Sequence, residues 1–151
     1  MQDNCGNIYK RARATAGLTQ ERWAEQLGVS VESVRLYESG TGLPSDEVVT
    51  RMIEVAVLPV LGYWHLMAKS RVAAEILPEV KTVPLAQAVV QLLHRIREFD
   101  EQHRVRELLS IAEDGQIDSA ERDAFDSIVK ELDGIVQAAM ALKFSEGQDG
   151  R

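Results

Sequence analysis

The sequence predicts an all-α protein, and three observations lead to this prediction. The 151-residue chain contains only 4 Pro and 10 Gly, whereas a β-sandwich or barrel needs turn residues about every 8–12 positions. Apolar residues recur at steps of three and four along most of the chain, which is the periodicity of amphipathic helices. The hydrophobic and charged fractions, 45% and 27%, are typical of a globular chain and exclude wholesale disorder.

Short helices are predicted for the first part of the chain, residues 1–77. Gly17, Gly28 and Gly40 each follow a short amphipathic segment and are predicted to end a helix. Thr19 is predicted to begin the second helix, and the side chain of Ser30 can cap the third. A fourth helix is expected from residue 45, and short apolar helices at 61–68 and 72–77. We therefore expect a five-helix domain with a trailing short helix.

Longer helices are predicted after residue 84. Residues 78–84 carry a proline at each end and are predicted to be a linker. Apolar residues then recur at three- and four-residue steps from Leu85 to Phe99, and the pattern resumes out of phase at Val105. A turn at 114–115 separates this segment from a last helix. Residues 85–144 are therefore predicted to form a long helical hairpin, with a disordered tail at 145–151.

The predicted hairpin is expected to serve assembly. Two helices alone leave much of their apolar surface in water, so the hairpin must pack on something else. We expect a second copy of the chain, in a homodimer or a higher homo-oligomer; the alternative is packing on the preceding short helices within a monomer. The residues predicted to form the oligomer interface are Phe125, Val129, Leu132, Ile135, Val136 and Ala139.

The net charge of −7 is unevenly distributed. Residues 1–106 hold 13 Lys/Arg and 13 Asp/Glu, whereas residues 107–151 hold 4 and 11. A nucleic-acid-binding surface is therefore expected only in the first part of the chain, because the acidic end repels phosphate. Overall acidity argues against a protein that coats nucleic acid without sequence preference, but it leaves sequence-specific binding open.

No membrane or disulfide role is expected. The longest charge-free stretch, residues 55–68, holds 14 residues, and a membrane span needs about 20. The first residues lack the basic segment and apolar core of a signal peptide. Cys5 is the only cysteine and cannot form an internal disulfide. We expect a cytoplasmic protein that makes no contact with membranes.

Residues 8–57 resemble the lambda-repressor-like (Xre-type) helix-turn-helix family. The resemblance rests on GLTQE at 17–21, WAEQLGVS at 23–30, VRLYESG at 34–40 and LPS at 43–45. It implies a DNA-binding domain whose helix at 30–39 enters the major groove. The whole chain also resembles, more weakly, small regulators of phages and other mobile elements.

The resemblance assigns roles to individual residues. It implies base contacts from Val31, Glu32, Arg35 and Leu36, of which Arg35 can donate two hydrogen bonds to guanine and Glu32 can accept one from cytosine. The alternative for these two residues is that they only pair with each other on a solvated helix face, since they lie three positions apart. The resemblance further implies a structural ion pair between Arg13 and Glu38. The resemblance implies a phosphate contact for Gln20, and we also expect phosphate contacts from Thr19, Ser33, Ser39 and Thr41. The alternative for Ser39 and Thr41 is that they are turn residues that touch phosphate only incidentally.

Metal and enzyme sites are not expected. Asp114, Asp118 and Glu121 are spaced like the second half of a calcium loop. Ala112 would occupy an early ligand position of that loop and has no oxygen to bind the ion, so a turn between two helices explains the same residues. The three histidines lack zinc-site spacing, and no phosphate-binding or nucleophile motif is present. We expect no cofactor, no metal and no catalytic activity.

The sequence therefore predicts a regulator of transcription that binds specific double-stranded DNA as a dimer, and a repressor rather than an activator. Residues 41–42 after the recognition helix supply no basic side chain for the DNA backbone, which makes dimeric binding more important. The alternative is a protein–protein interaction module, an antitoxin or adaptor, that uses the same fold with weak or no DNA binding. The zero net charge of residues 1–106 is compatible with that alternative.

Overall fold

The structure, a computed structural model, describes residues 8–145. Cys5 and all but the first residue of the predicted tail at 145–151 lie outside this range. The described residues form nine α-helices and no β-strand, which confirms the predicted all-α class. The chain divides into two compact units, residues 1–77 and residues 78–151. None of the helices in the described part combines the length and apolarity that a membrane crossing requires.

Between residues 8 and 77 the first unit contains six helices, and four of them have the caps that short helices need. Thr19, Ser30, Ser45 and Ser70 each accept a hydrogen bond from a backbone N–H three residues further on, which satisfies one of the amide groups left open at a helix start. The cap predicted at Ser30 is thus confirmed, and Thr19 caps the helix that was predicted to begin there. The helices are α1 (Ile8–Ala16), α2 (Gln20–Leu27), α3 (Val31–Ser39), α4 (Asp46–Ala56), α5 (Val60–Lys69) and α6 (Arg71–Ile76).

The core of this unit holds α3 against the other helices. Trp23 and Leu27 of α2, Val34 of α3, Met52 of α4 and Leu61 of α5 are all fully buried. Burial of each such side chain stabilises the fold by roughly 1.5–3 kcal/mol relative to exposure. Val34 anchors α3 in this core, and α3 packs mainly on α2 and α1.

A buried histidine joins α1, α4 and α5. The Tyr9 hydroxyl oxygen lies 2.8 Å from Nδ1 of His65, and Oδ1 of Asp46 lies 3.1 Å from its Nε2. Lys69 donates to the same Asp46 oxygen at 2.6 Å. The hydrogen bonds from Lys69 and His65 lower the pKa of Asp46. Both ring nitrogens of His65 therefore have partners, and this network fixes the start of α4.

Val57 ends α4 in an unfavourable backbone conformation. Its φ is 50°, in the left-handed region, and its side chain is 80% exposed. A β-branched residue is strained there, whereas glycine is not. We expect Val57→Gly to raise the free energy of unfolding by about 1 kcal/mol, measured by urea denaturation. Val57→Ala keeps the Cβ atom and should gain less; a loss of stability in the glycine variant would contradict the argument.

The described part of the second unit contains three helices, because the first arm of the predicted hairpin is divided into two. The helices are α7 (Leu85–Glu101), α8 (Arg104–Ile111) and α9 (Arg122–Lys143). Between α7 and α8, His103 adopts a left-handed φ of 59°. The break falls where the apolar pattern shifts phase, because one continuous helix cannot turn both parts of that pattern toward α9. His103 itself is exposed.

α7 and α9 run antiparallel and pack along their lengths. Gly134 lies beside Arg95, and Gln137 donates a hydrogen bond of 2.7 Å to the carbonyl of Glu79. The segment 78–84, predicted as a linker, has no helix but lies inside this unit, with Val80 buried. α8 is attached to α9 by Arg104, whose guanidinium donates to the Glu131 carboxylate at 2.6 Å.

Candidate nucleic-acid interface

The turn between α2 and α3 depends on Gly28. Its φ of 68° is in the left-handed region, and its amide N–H donates to α2 carbonyls. Arg51 of α4 donates to the carbonyl of Leu27 at 2.9 Å, and its guanidinium lies 3.2 Å from where a Cβ at Gly28 would stand. A side chain at this position would be strained and would crowd Arg51. The sequence predicted that Gly28 ends α2, but it did not reveal that Arg51 donates a hydrogen bond to the last carbonyl of that helix.

One side of α3 is anchored, and the other is open. Val34 is 1% exposed, and Tyr37 packs its ring edge against Tyr9 at 6.4 Å between ring centroids. The other face carries the four predicted base-contact residues. Glu32, Arg35 and Leu36 are exposed, whereas Val31, at the start of the helix, is half-buried. The structure thus brings these four residues to one helix, three of them on its open face.

Glu32 and Arg35 form an ion pair in this structure. The distance between Arg35 Nη1 and Glu32 Oε2 is 3.4 Å, and both side chains are exposed. An exposed pair of this kind contributes only about 0.5 kcal/mol or less, because water screens it and two long side chains must be ordered. Pairing and base contact are therefore compatible: DNA can replace the internal partner of Arg35 at small cost.

Gln20, predicted to contact phosphate, uses its side chain inside the domain. Its Nε2 donates to Oε2 of Glu38 at 2.9 Å, and the residue is half-buried. The neighbouring Thr19 is exposed and caps α2. The N-terminal amides of α2 carry the positive end of the helix dipole, which favours an anion regardless of the side chains. Sequence reasoning missed the bond to Glu38 because its partner lies 18 positions away.

The remaining hydroxyl residues predicted to contact phosphate surround α3. Ser33, half-buried, pairs its hydroxyl with that of Ser30 at 2.8 Å. Ser39 and Thr41 are exposed, with hydroxyl oxygens 2.7 Å apart, and Ser39 also donates to the carbonyl of Leu36. These contacts hold the two ends of α3, so the side chains have structural partners within the domain.

Arg13 and Glu38 form a two-point ion pair. Arg13 Nε lies 2.5 Å from one Glu38 oxygen and Nη2 lies 3.0 Å from the other. Nη1 of Arg13 donates to the carbonyl of Leu18, so the group links the ends of α1 and α3 to the loop before α2. Burial raises the pKa of Glu38, but the hydrogen bonds from Arg13 and Gln20 outweigh it and hold the pKa below its ordinary value.

Most cations of the first unit are already paired with carboxylates. Residues 1–77 contain 8 Lys/Arg and 9 Asp/Glu. Arg11 lies over the ring of Trp64, 4.7 Å from its centroid. This surface is therefore poor in unpaired positive charge, which limits the electrostatic part of any DNA affinity. The residues in ion pairs are Arg13, Arg22, Arg35, Arg51, Lys69 and Arg71.

The residues predicted for assembly follow a stripe along α9. Ile128, Ala138 and Ala141 of this helix are buried within the unit, whereas none of the predicted assembly residues is. Val129 and Val136 are 37% and 48% exposed. We use the name α9 stripe for the residues that recur there at steps of four and three, namely Phe125, Val129, Leu132, Val136 and Ala139; Ile135 is half-buried beside them.

The acidic residues with calcium-loop spacing at 114–121 stabilise turns through local hydrogen bonds to backbone amides. Asp118 Oδ1 accepts hydrogen bonds from two backbone amides, and Glu121 Oε2 accepts one from the amide of Asp118. Asp114 accepts one from the amide of Gln116. Within residues 8–145 no group of three or more His, Cys, Asp or Glu side chains is arranged to hold a metal ion.

Comparison with known proteins gives one match, in the first unit. Residues 10–59, which span α1 to α4, match a family model described as a helix-turn-helix domain. This match confirms the helix-turn-helix character predicted for residues 8–57. Neither the curated proteins nor the solved structures gave a match to the chain.

Proposed function

We propose that this protein regulates transcription by binding a specific double-stranded DNA sequence as a homodimer, and that it acts as a repressor. The helix-turn-helix domain at 10–59 is typical of DNA-binding regulators. One observation carries the finer proposal: α3 is anchored by Val34, while Glu32, Arg35 and Leu36 on its N-terminal half remain open. A recognition helix needs this arrangement to present side chains to base edges in the major groove.

The scarcity of unpaired cations supports the dimer. Each phosphate neutralised by Lys or Arg contributes to affinity through release of counterions, and here most cations are engaged within the unit. One copy should therefore bind weakly at physiological salt. Two linked copies bind far more tightly than one, because the second contact is made at a high effective concentration. The α9 stripe is apolar, with Val129, Val136 and Ala139 exposed, and a second copy of the chain can cover it.

A repressor needs fewer surfaces than an activator. A dimer bound over a promoter excludes polymerase by occupying the DNA, whereas activation requires a further contact with the transcription machinery. The two surfaces described above are α3, which is proposed to contact DNA, and the α9 stripe, which is proposed to bind a second copy of the chain. They are sufficient for repression.

Selection of bound sequences from random duplex DNA tests the proposal. We expect enrichment of a palindrome whose half-sites lie about 10 base pairs apart, or a multiple of that, because a two-fold dimer presents its recognition helices one helical turn apart. Full-length protein in physiological salt is the appropriate sample. Recovery of no preferred sequence would contradict the proposal.

Arg35 is expected to read a base. Arg35→Ala should weaken binding to the selected site by about 1–3 kcal/mol and relax the preference at one base pair per half-site, measured by competition with single-base variants of that site. Arg22→Ala is the matched control, because Arg22 is an exposed arginine in an i,i+3 ion pair on α2; it should leave the base preference unchanged. An equal loss on specific and random DNA after Arg35→Ala would assign Arg35 to the phosphate backbone instead.

A second candidate function is a protein-interaction module built on the same fold. The pairing of most cations in the first unit favours it, because a surface without unpaired positive charge has little affinity for phosphate. The random-duplex selection separates the two candidates. An antitoxin or adaptor of this kind would return no palindrome.

A further inference from the structure

A groove in the second unit lies between α7, α9 and the segment 79–83. Its volume is about 710 Å³, within the range of about 300–1,000 Å³ that small-molecule sites occupy. Small residues of α9, including Gly134, Ala138 and Ala141, form one wall, and polar side chains of α7 form the other. Gln137 is the one large α9 side chain at the groove, and it is held on the carbonyl of Glu79. The small residues of α9 leave the rest of the space open to a ligand.

Two cations without partners line this groove. Lys81 and Arg95 have no hydrogen-bond or ion-pair partner among residues 8–145. Arg97 and Arg104 of the same unit, by contrast, are engaged with Glu101 and Glu131. Unpaired cations that share a concave site are the usual means of binding an anion.

Gly134 allows Arg95 to lie against α9. The Arg95 Nη1 is 3.4 Å from the position a Cβ of Gly134 would take. A glycine inside a helix is destabilising relative to alanine, and here it leaves space for a planar guanidinium along the groove wall. The guanidinium can then offer two parallel N–H groups to one carboxylate.

The remaining polar groups of the groove limit the charge of the ligand. Glu79 and Glu98 also line it, and Glu98 lies 3.4 Å from His94. These two carboxylates offset the positive charge of Lys81 and Arg95. The groove should therefore bind a carboxylate group more favourably than a phosphate, which concentrates a double negative charge on one group. The amides of Gln87 and Gln91 can donate to or accept from the polar groups of that ligand.

We propose that this groove binds a small organic carboxylate, with Arg95 and Lys81 on the carboxylate and the glutamines of α7 on the rest of the molecule. The site lies wholly in the second unit. It therefore does not depend on DNA binding by the first, and its test is independent of the proposed function.

Titration calorimetry and thermal melting of the full-length protein test this proposal, with acetate, succinate, glutarate, citrate and inorganic phosphate as probes at constant ionic strength. We expect at least one of the four carboxylates to bind saturably and to raise the melting temperature with concentration as mass action requires. Arg95→Gln should weaken that binding about ten-fold or more, since it removes the two-point contact. Lys81→Gln should weaken it to a smaller extent.

Arg106→Gln is the matched control, because Arg106 is an exposed arginine of α8 outside the groove; it should bind the probe as the unchanged protein does. Three outcomes would overturn the proposal: no saturable binding of any of the four carboxylates, tighter binding of phosphate than of every carboxylate, or an equal loss of binding in Arg106→Gln. Circular dichroism of each variant ensures that loss of binding is not loss of folding.

Discussion

Arg13→Met is expected to lower the free energy of unfolding by about 3 kcal/mol, because removal of one partner from a buried ion pair leaves the other charge uncompensated. The Glu38 side chain is only 6% exposed, and after the change Gln20 remains as its polar partner. The variant also loses the hydrogen bond from Arg13 to the carbonyl of Leu18. Urea denaturation at pH 7 measures the effect.

Arg22→Met is the matched control for this experiment. Arg22 and Glu25 form an ion pair three residues apart on α2, but both side chains are more than half exposed. An exposed pair contributes about 0.5 kcal/mol or less, so this variant should lose little stability. Equal losses in the two variants would show that burial of Glu38 does not determine the cost.

The effect of Arg13→Met should depend on pH. Because folding lowers the pKa of Glu38, its ion pair stabilises the native protein fully above the pKa of an unfolded glutamate, about 4.3. This stabilisation is lost as the pH falls through the lower folded-state pKa. The difference in stability between the unchanged protein and the variant should therefore be largest near pH 7 and shrink below about pH 4.

The double change Val129→Glu with Val136→Glu is expected to convert a dimer to a monomer and to weaken binding to the selected palindrome about 100-fold or more, through loss of avidity. Both valines belong to the α9 stripe and are more than a third exposed. Their replacement should therefore change the fold of one copy little, whereas four buried carboxylates in a dimer interface would be prohibitive. Sedimentation and DNA titration measure the two effects.

Lys130→Glu provides the control for the added charge. It changes the net charge by the same two units at an exposed position of α9 outside the stripe, so any loss of DNA affinity from general repulsion appears in it too. A protein that sediments as a monomer without any substitution, or a double variant that binds DNA as well as Lys130→Glu does, would contradict the assignment of the α9 stripe.

Much of the candidate DNA interface could be predicted because its signals are local. Thr19, Ser30 and Gly28 act on backbone groups within a few positions of themselves, so their residue types indicate the start and end of α2 and of α3 directly. The exposed side of α3 also follows from helical spacing once Val34 is recognised as its buried residue. Contacts with distant partners could not be found in this way: Gln20 on Glu38 and Arg51 on the carbonyl of Leu27 join positions 18 and 24 residues apart.

The sequence by itself determined that the chain is helical, that residues 8–57 carry a helix-turn-helix pattern, and where the short helices of that segment begin and end. These properties follow from periodicity and from caps, which operate over one or two turns of helix. The tertiary structure alone decided that the first arm of the expected hairpin breaks at His103 and that residues 78–84 pack beside α9. The tertiary structure also decided that Lys81 and Arg95 share a groove. All three features depend on which surfaces meet after the chain has folded, and packing between residues far apart in sequence determines those surfaces.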